Sequence, residues 1–439
     1  MSNRALRAVS HVPPIFSPPD VTKMQGYTSR LSGAPEDNIA FRMTTVANSY
    51  DVTFSRLGKN GETVGVLENV KGRLQQSPPN AWEEGCGWQS DFFWVIPEDA
   101  RSWMYCAEFV DSNGSGFHVP FIVNPRFDKQ SKLACLGSTN TWNAYNGWGG
   151  MSAYSEPQPC TLSLDRPMPV ATPVGEGRSH LLRAELWVLD WMAESGYAVD
   201  VYSDMDLHRG WEWLKEYRAL VVSTHSEYWS EPMRDHLDAY LDAGGSLLYL
   251  SGNGMYWKVT YDSTCRIMEI RKDGKPHYQT GEESGLWRNL GRPEHGVLGV
   301  GYARPGYMTF APYRVEDPSH WIFEGLGLKQ GDLIGGEGIN GGAASGWEAD
   351  QIRKGWSPHN LTVLAKGINP ADYMSPGCSA VYPDSDYEWD GTGGAHMTYY
   401  DHPGGGGVFS VGSIAFGGSL VVDGHLQGVV RNVLDSFIQ

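Results

Sequence analysis

Apolar and polar positions follow two different periods along this chain, and the change between them divides it. From about residue 20 to 125 the apolar residues come in strand-length pieces, such as Ile39-Ala40-Phe41-Arg42-Met43, Ser49-Tyr50-Asp51-Val52-Thr53-Phe54 and residues 117–123. Turn residues separate some of them, including Lys59-Asn60-Gly61 and Asp111-Ser112-Asn113-Gly114, and short strands at this spacing predict an all-β sandwich. Residues 124–128 read as a junction. From Lys132 onward, short apolar runs at residues 133–136, 197–202, 219–223 and 247–250 are interleaved with helical periods. Residues 179–195 place Leu182, Leu186, Leu189 and Met192 on one helical face, and residues 231–243 do the same with Met233, Leu237, Tyr240 and Leu241. Gly196 and Gly244-Gly245 stop these helices, because glycine adopts left-handed dihedrals without penalty. Strand, helix, strand in this order gives parallel strands joined by right-handed crossovers. Residues 130–439 are therefore expected to form a doubly wound α/β domain behind the all-β sandwich of residues 20–125. Within it, residues 260–405 show few clear periods and read as a long loop-rich insertion capping the sheet ends. A strand at 406–411 and a helix from about 424 to 437 close the chain.

In parallel sheets chemistry gathers beyond the carboxyl ends of the strands, so the loops there supply the candidates. The first, residues 138–150, holds Asn140, Trp142, Tyr145 and Trp148, which can hydrogen-bond and wall a small polar ligand; the alternative is a surface loop held by Asn turns. The second brings Asp206 and His208, as metal ligands or a general-base pair, or with Asp as a helix cap. The third carries His225, Glu227 and Tyr228, the fourth Asn253 and Tyr256. Two tyrosines on adjacent strand ends, with His, Glu and Asn beside them, call for more than packing. A glutamine-amidotransferase-like sheet or an α/β-hydrolase would set a nucleophile in the turn after the third strand. No Cys stands there, and Ser226 lacks the glycines of G-x-S-x-G, which disfavours a covalent triad.

Composition narrows the field. The net charge of −17 argues against nucleic acid and anionic membrane surfaces as partners. No run approaches the length of a transmembrane helix, residues 1–16 lack the apolar core of a secretory signal, and a cytoplasmic location is the default expectation. The six cysteines are scattered without a C-x-x-C pair and read as buried thiols. The chain is rich in aromatics, with 17 Trp and 22 Tyr, many in Gly-rich loops of the kind that line ligand cavities.

Ser203-Asp204-x-Asp206-Leu207-His208, His225-x-Glu227-Tyr228-Trp229 and Gly252-Asn253-Gly254-x-Tyr256-Trp257 together resemble the large (beta) subunit family of N,N-dimethylformamidase. Asn140-Thr141-Trp142-x-Ala144-Tyr145-Asn146-x-Trp148-Gly149-Gly150 and Gly407-Val408-Phe409-Ser410-x-Gly412-Ser413 are similar to the same family, so the likeness spans most of residues 130–439. It implies a hydrolase of small N-substituted amides with a mononuclear Fe3+ centre held by two tyrosinates and a glutamate. Tyr228 and Tyr256 match the tyrosines. Glu348, in Gly346-Trp347-Glu348-Ala349-Asp350, is the choice for the glutamate, with Glu337 as competitor. Phenolate and carboxylate are hard oxygen donors suited to Fe3+. Glu227, His225, Asp206 and His208 are the candidates for moving protons, with Asn253 beside them. The resemblance also implies a homo-oligomer and leaves a small companion subunit open. The β domain is expected to supply no metal ligand. Two other readings stand: a non-catalytic or carbohydrate-binding protein, and a metal-independent amidohydrolase.

Overall fold

The computed structural model describes residues 23–128, 130–370 and 393–439; residues 1–16 and Cys378, both read above, lie outside these. In the N-terminal region the described residues form sheets of three and five strands. The smaller pairs Gln25–Thr28, Asn38–Thr44 and Phe92–Val95. The larger is built on the Ser49–Arg56, Glu62–Lys71, Trp103–Asp111 and Gly116–Val123 strands. Their inner faces meet through aromatic rings: Phe41 lies edge-on to Phe54 and Phe121, and Trp94 stacks on Phe54 at 4.4 Å.

Beyond residue 130, nine strands of the described residues form one sheet. Five run parallel, in the spatial order Val199–Ser203, Leu133–Gly137, Ala219–Thr224, Ser246–Ser251, Gly407–Ser410. Their apolar residues alternate into two separate cores. Leu133, Cys135, Val201, Val221 and Leu248 face a layer containing the Leu182–Glu194 and Gly424–Phe437 helices, and this core is continuous with that of the β region. Ala134, Leu136, Leu220, Val222 and Leu247 face the other way, onto the Glu231–Asp242 helix. Period-2 alternation in fully buried strands thus buries both faces, which is why these segments read as unbroken apolar runs. The Glu231–Asp242 helix starts at Ser230, whose hydroxyl accepts the Met233 N–H, and the last helix starts at Asp423, which accepts from Leu426.

Residues 260–405 do more than cap the sheet. His396–Asp401, Thr362–Gly367, Tyr313–Val315 and Leu333–Ile334 extend it antiparallel beyond Gly407–Ser410. The loop expected at 138–150 begins as a short helix, Thr139–Tyr145. Tyr228–Ser230 and Trp257–Tyr261 form a second, smaller sheet with Ile267–Ile270 and Thr161–Ser163. No helix among the described residues is long and apolar enough to cross a membrane.

Candidate active site

Two neighbouring parallel strands deliver the site. The Ala219–Thr224 strand ends at Thr224 with φ 65°, and the Ser246–Ser251 strand is followed by Asn253 at φ 50° and Met255 at φ 49°. A β-branched residue at positive φ is a genuine outlier, and each such residue costs about 1–3 kcal/mol, held by its surroundings. The two strained segments brace each other: Ser226 C=O accepts the Met255 N–H, and Glu227 C=O accepts those of Tyr256 and Trp257. A third strained segment joins them at Trp347, φ 68°. The next residue is fastened to the strand end after Gly412, its carbonyl accepting the Ile414 N–H at 3.4 Å.

At this junction His225, Glu227 and Glu348 meet, all buried. His225 Nδ1 lies 3.0 Å from Gly252 C=O, which can only accept, so Nδ1 carries a proton. Nε2 stands 3.1 Å from Glu227 Oε2, 3.8 Å from Glu348 Oε2 and 3.2 Å from the Tyr145 hydroxyl. Burial opposes the charged imidazole, but the hydrogen bond and charge of Glu227, aided by Glu348, outweigh it and leave the pKa at about 9. Tyr154 donates to Glu227 Oε2 at 2.8 Å, and Tyr228 donates to Tyr154 at 2.9 Å. Glu227 is 1% exposed, and its other oxygen has no hydrogen-bond partner among the described residues. Asn253 binds Glu348 Oε2 through its amide at 2.9 Å and Asp350 through its backbone N–H at 2.7 Å. Burial pushes the carboxyls of Glu348 and Asp350 up to about 7. Burial, reinforced by Glu227, also drives the Tyr145 and Tyr228 phenols well above their usual range. Lys272 closes one side, its ammonium 4.4 Å from the Tyr154 ring and 4.9 Å from Trp257, with burial lowering it to about 8.

The residues chosen from sequence divide between this cluster and its supports. His225, Glu227, Tyr228, Tyr145, Asn253 and Glu348 belong to it, whereas Glu337 lies exposed. The Tyr256 ring packs edge-on to Trp257 and Tyr302, under the Arg288 guanidinium. Asp206 is turned to the β region: it completes a capping box with Ser203 and accepts from Ser32 and Asn124. His208 Nδ1 is paired with the Ser230 hydroxyl. Asn140 holds Tyr228 in place, donating to its carbonyl at 3.0 Å and accepting from Tyr261. Trp148 donates to Gln25 of the β region. Tyr154, His180, Lys272 and Asp350 were not singled out from sequence. His180 sits between the Tyr145 and Trp347 rings. Asp350 had a signal, since it stands two residues from Glu348 in the same motif.

Trp142 donates to Glu185, which also accepts the Ser138 N–H and so fixes the start of the loop. Burial raises the Glu185 carboxyl from 4.5 to about 7. Between these values the folded chain keeps a proton that the unfolded chain has lost, so stability falls as pH rises through the window and levels off above it. The effect is at most about 3 kcal/mol. Glu185→Gln should flatten part of the fall, read from urea midpoints of both proteins at about pH 5 and pH 8. Glu348 and Asp350 add the same sign in both, so the difference between variants isolates Glu185; parallel curves would refute its role.

Among the described residues no three or more His, Cys, Asp and Glu side chains form a group that could hold a metal ion. The donors that converge are phenols with a carboxylate: Tyr154, Tyr228 and Glu227, flanked by Tyr145 and Glu348. Hard oxygen donors of this kind fit Fe3+. A cation would also reverse what opposes ionisation here, since burial and neighbouring carboxylates hold the Tyr145 and Tyr228 phenols protonated.

A family model described as N,N-dimethylformamidase beta subunit-like, C-terminal, matches residues 51–428. The N,N-dimethylformamidase beta subunits of an Alcaligenes species and of Paracoccus aminophilus are each 26% identical to this chain over 424 residues, 81% of the chain and 55% of each relative. The chain thus spans about half the length of these curated relatives. A solved Paenibacillus cycloisomaltooligosaccharide glucanotransferase covers 60% of this chain and 33% of its own, at 9% identity and a TM-score of 0.16, and carries no argument.

Proposed function

The chain belongs to the N,N-dimethylformamidase beta subunit-like family, and from that membership and the cluster around Glu227 we propose that it hydrolyses the C–N bond of small N-substituted amides. The observation that carries the proposal is the buried Glu227 carboxylate, with one oxygen bound by Tyr154 and His225 and the other without a hydrogen-bond partner among the described residues. Where no ion binds it, such an oxygen is placed to take a proton from an attacking water; with iron on Glu227, Glu348 beside His225 is the carboxylate left for that proton. His225, held as a cation between two carboxylates, stabilises negative charge developing on the amide oxygen and can hand its Nε2 proton to the leaving nitrogen. Asn253 and Gly252 orient this pair. Aromatic walls from Tyr145, Tyr154, Trp257 and Trp347 favour small, neutral, partly apolar substituents.

Iron is part of the proposal: bound to these oxygens, Fe3+ would polarise the amide carbonyl and acidify water. One candidate set is Tyr154, Tyr228 and Glu227, supported by the hydrogen bonds that link them; the other, read from sequence, is Tyr228, Tyr256 and Glu348. Because the relatives are named beta subunits, we also propose that the chain works in an assembly, as a homo-oligomer or with a small companion subunit.

Metal analysis, a visible spectrum and a kinetic panel of N-alkyl formamides, acetamides and dipeptides test the reading. It expects about one iron per chain, a tyrosinate charge-transfer colour, and hydrolysis of several small amides, because shape discriminates one methylene by only about 1–3 kcal/mol. Colourless, iron-free protein whose activity resists chelators would favour the metal-independent hydrolase. Sugar binding without hydrolysis would favour the binding protein, and a clear preference for dipeptides would sink the substrate class.

A further inference from the structure

Where the β region meets the α/β region, a cavity of about 320 Å³ opens among Ser29, Arg30 and Ser32 on one side and Arg209, Thr264 and Arg266 on the other. It shares no residue with the Glu227 cluster. Three guanidiniums in one concavity run against the charge of a chain whose net is −17. Two of them are already engaged: Arg30 with Asp37 at 2.7 Å, and Arg266 with Asp165 at 2.7 Å. Arg209 has no ion pair or hydrogen bond among the described residues. It ends the Asp204–Arg209 helix, exposed, so its planar fork of donors is free for a ligand. Ser29 adds a hydroxyl whose oxygen accepts the Ala40 N–H, leaving its own proton to donate. The volume lies at the small end of ligand sites, and guanidiniums match phosphoryl oxygens in bidentate geometry.

We propose that this cavity is a binding site for a small anion carrying a phosphoryl group, with Arg209 as its principal contact. The site has a route to the cluster described above. The helix that carries Arg209 begins at Asp204, which accepts the Asn140 N–H at 2.7 Å, and Asn140 in turn holds the Tyr228 carbonyl. The binding site itself does not depend on the amide-hydrolase reading.

Cys265 lines the same cavity and is partly exposed, whereas Cys160, also partly exposed, does not. That pair supplies an internal control. The isolated chain would be alkylated with iodoacetamide at constant ionic strength, in chloride, in inorganic phosphate or in glycerol phosphate, and each cysteine followed by mass spectrometry. Phosphate should slow Cys265 saturably, several-fold, and leave Cys160 unchanged; stronger protection by the ester would identify an organic phosphate as the ligand. Arg209→Ala should weaken that protection about tenfold, the scale of one charge-assisted hydrogen bond. Titration calorimetry of phosphate gives the same comparison without a label. Equal slowing at both cysteines, an unchanged affinity in Arg209→Ala, or no binding heat would overturn the proposal.

Discussion

Glu227→Gln is expected to cut kcat by about 10²–10⁴-fold, the range for a lost general base, while the chain still folds. The amide has the shape of the carboxylate and can still accept from Tyr154, so the loss is one of charge. Without that charge the His225 imidazole loses its main support against burial and titrates lower. KM should change less than kcat, because Glu227 is buried behind the aromatic walls. Metal content then separates the two iron sets. If Tyr154, Tyr228 and Glu227 hold the ion, Glu227→Gln loses iron and colour and Tyr256→Phe keeps them. The reverse pattern would restore the set of Tyr228, Tyr256 and Glu348. Full activity in Glu227→Gln would remove Glu227 from the chemistry altogether.

A single methyl group at Gly252 should do comparable damage by geometry. A Cβ built there stands 2.7 Å from Ile414 N, 2.8 Å from Glu348 O and 2.9 Å from Ser413 C. All three are backbone atoms, so no side chain can rotate away and a strand end must move. Overpacking of this kind costs about 1–3 kcal/mol. The movement falls on the segment carrying Glu348 and on the carbonyl that holds the His225 ring through Nδ1. A displacement of about 1 Å there costs about 100-fold in rate. Gly210→Ala is the control: nothing lies within 4 Å of its added carbon, so stability should hold within about 0.5 kcal/mol. Equal urea midpoints and equal rates for the two variants would refute the close approach at Gly252.

The elements that could be read from sequence are those whose side chains bury in a simple period. The Ala219–Thr224 and Ser246–Ser251 strands and the Glu231–Asp242 helix stand in the chain as unbroken apolar runs and a three-to-four spacing. The Thr139–Tyr145 helix hid because Thr139 to Ala144 are all buried, which leaves no polar face to mark a stripe. The strands of residues 310–401 hid for another reason: they are short, and their partners lie far along the chain. The site divides in the same way. His225, Glu227 and Asn253 follow strand ends, where position alone points to chemistry, and Glu348 came from a family motif. Tyr154, His180 and Lys272 lie outside any strand or helix, in stretches broken by Gly and Pro, and reach the cluster by tertiary folding that no local pattern encodes.

The seam beneath the site bears on how such a chain can be rearranged by recombination. Trp148 gives its indole proton to Gln25, and Asp206 ties its own helix to Ser32 and Asn124. A β layer exchanged from a relative would have to bring matching acceptors and hydroxyls with it. A crossover placed at the junction near residue 128 would strand the buried Trp148 indole N–H, at a cost of about 1–3 kcal/mol, and the half-buried Asp206 carboxylate. The two regions are separable along the sequence, yet an exchange between relatives would have to carry both sides of this seam together.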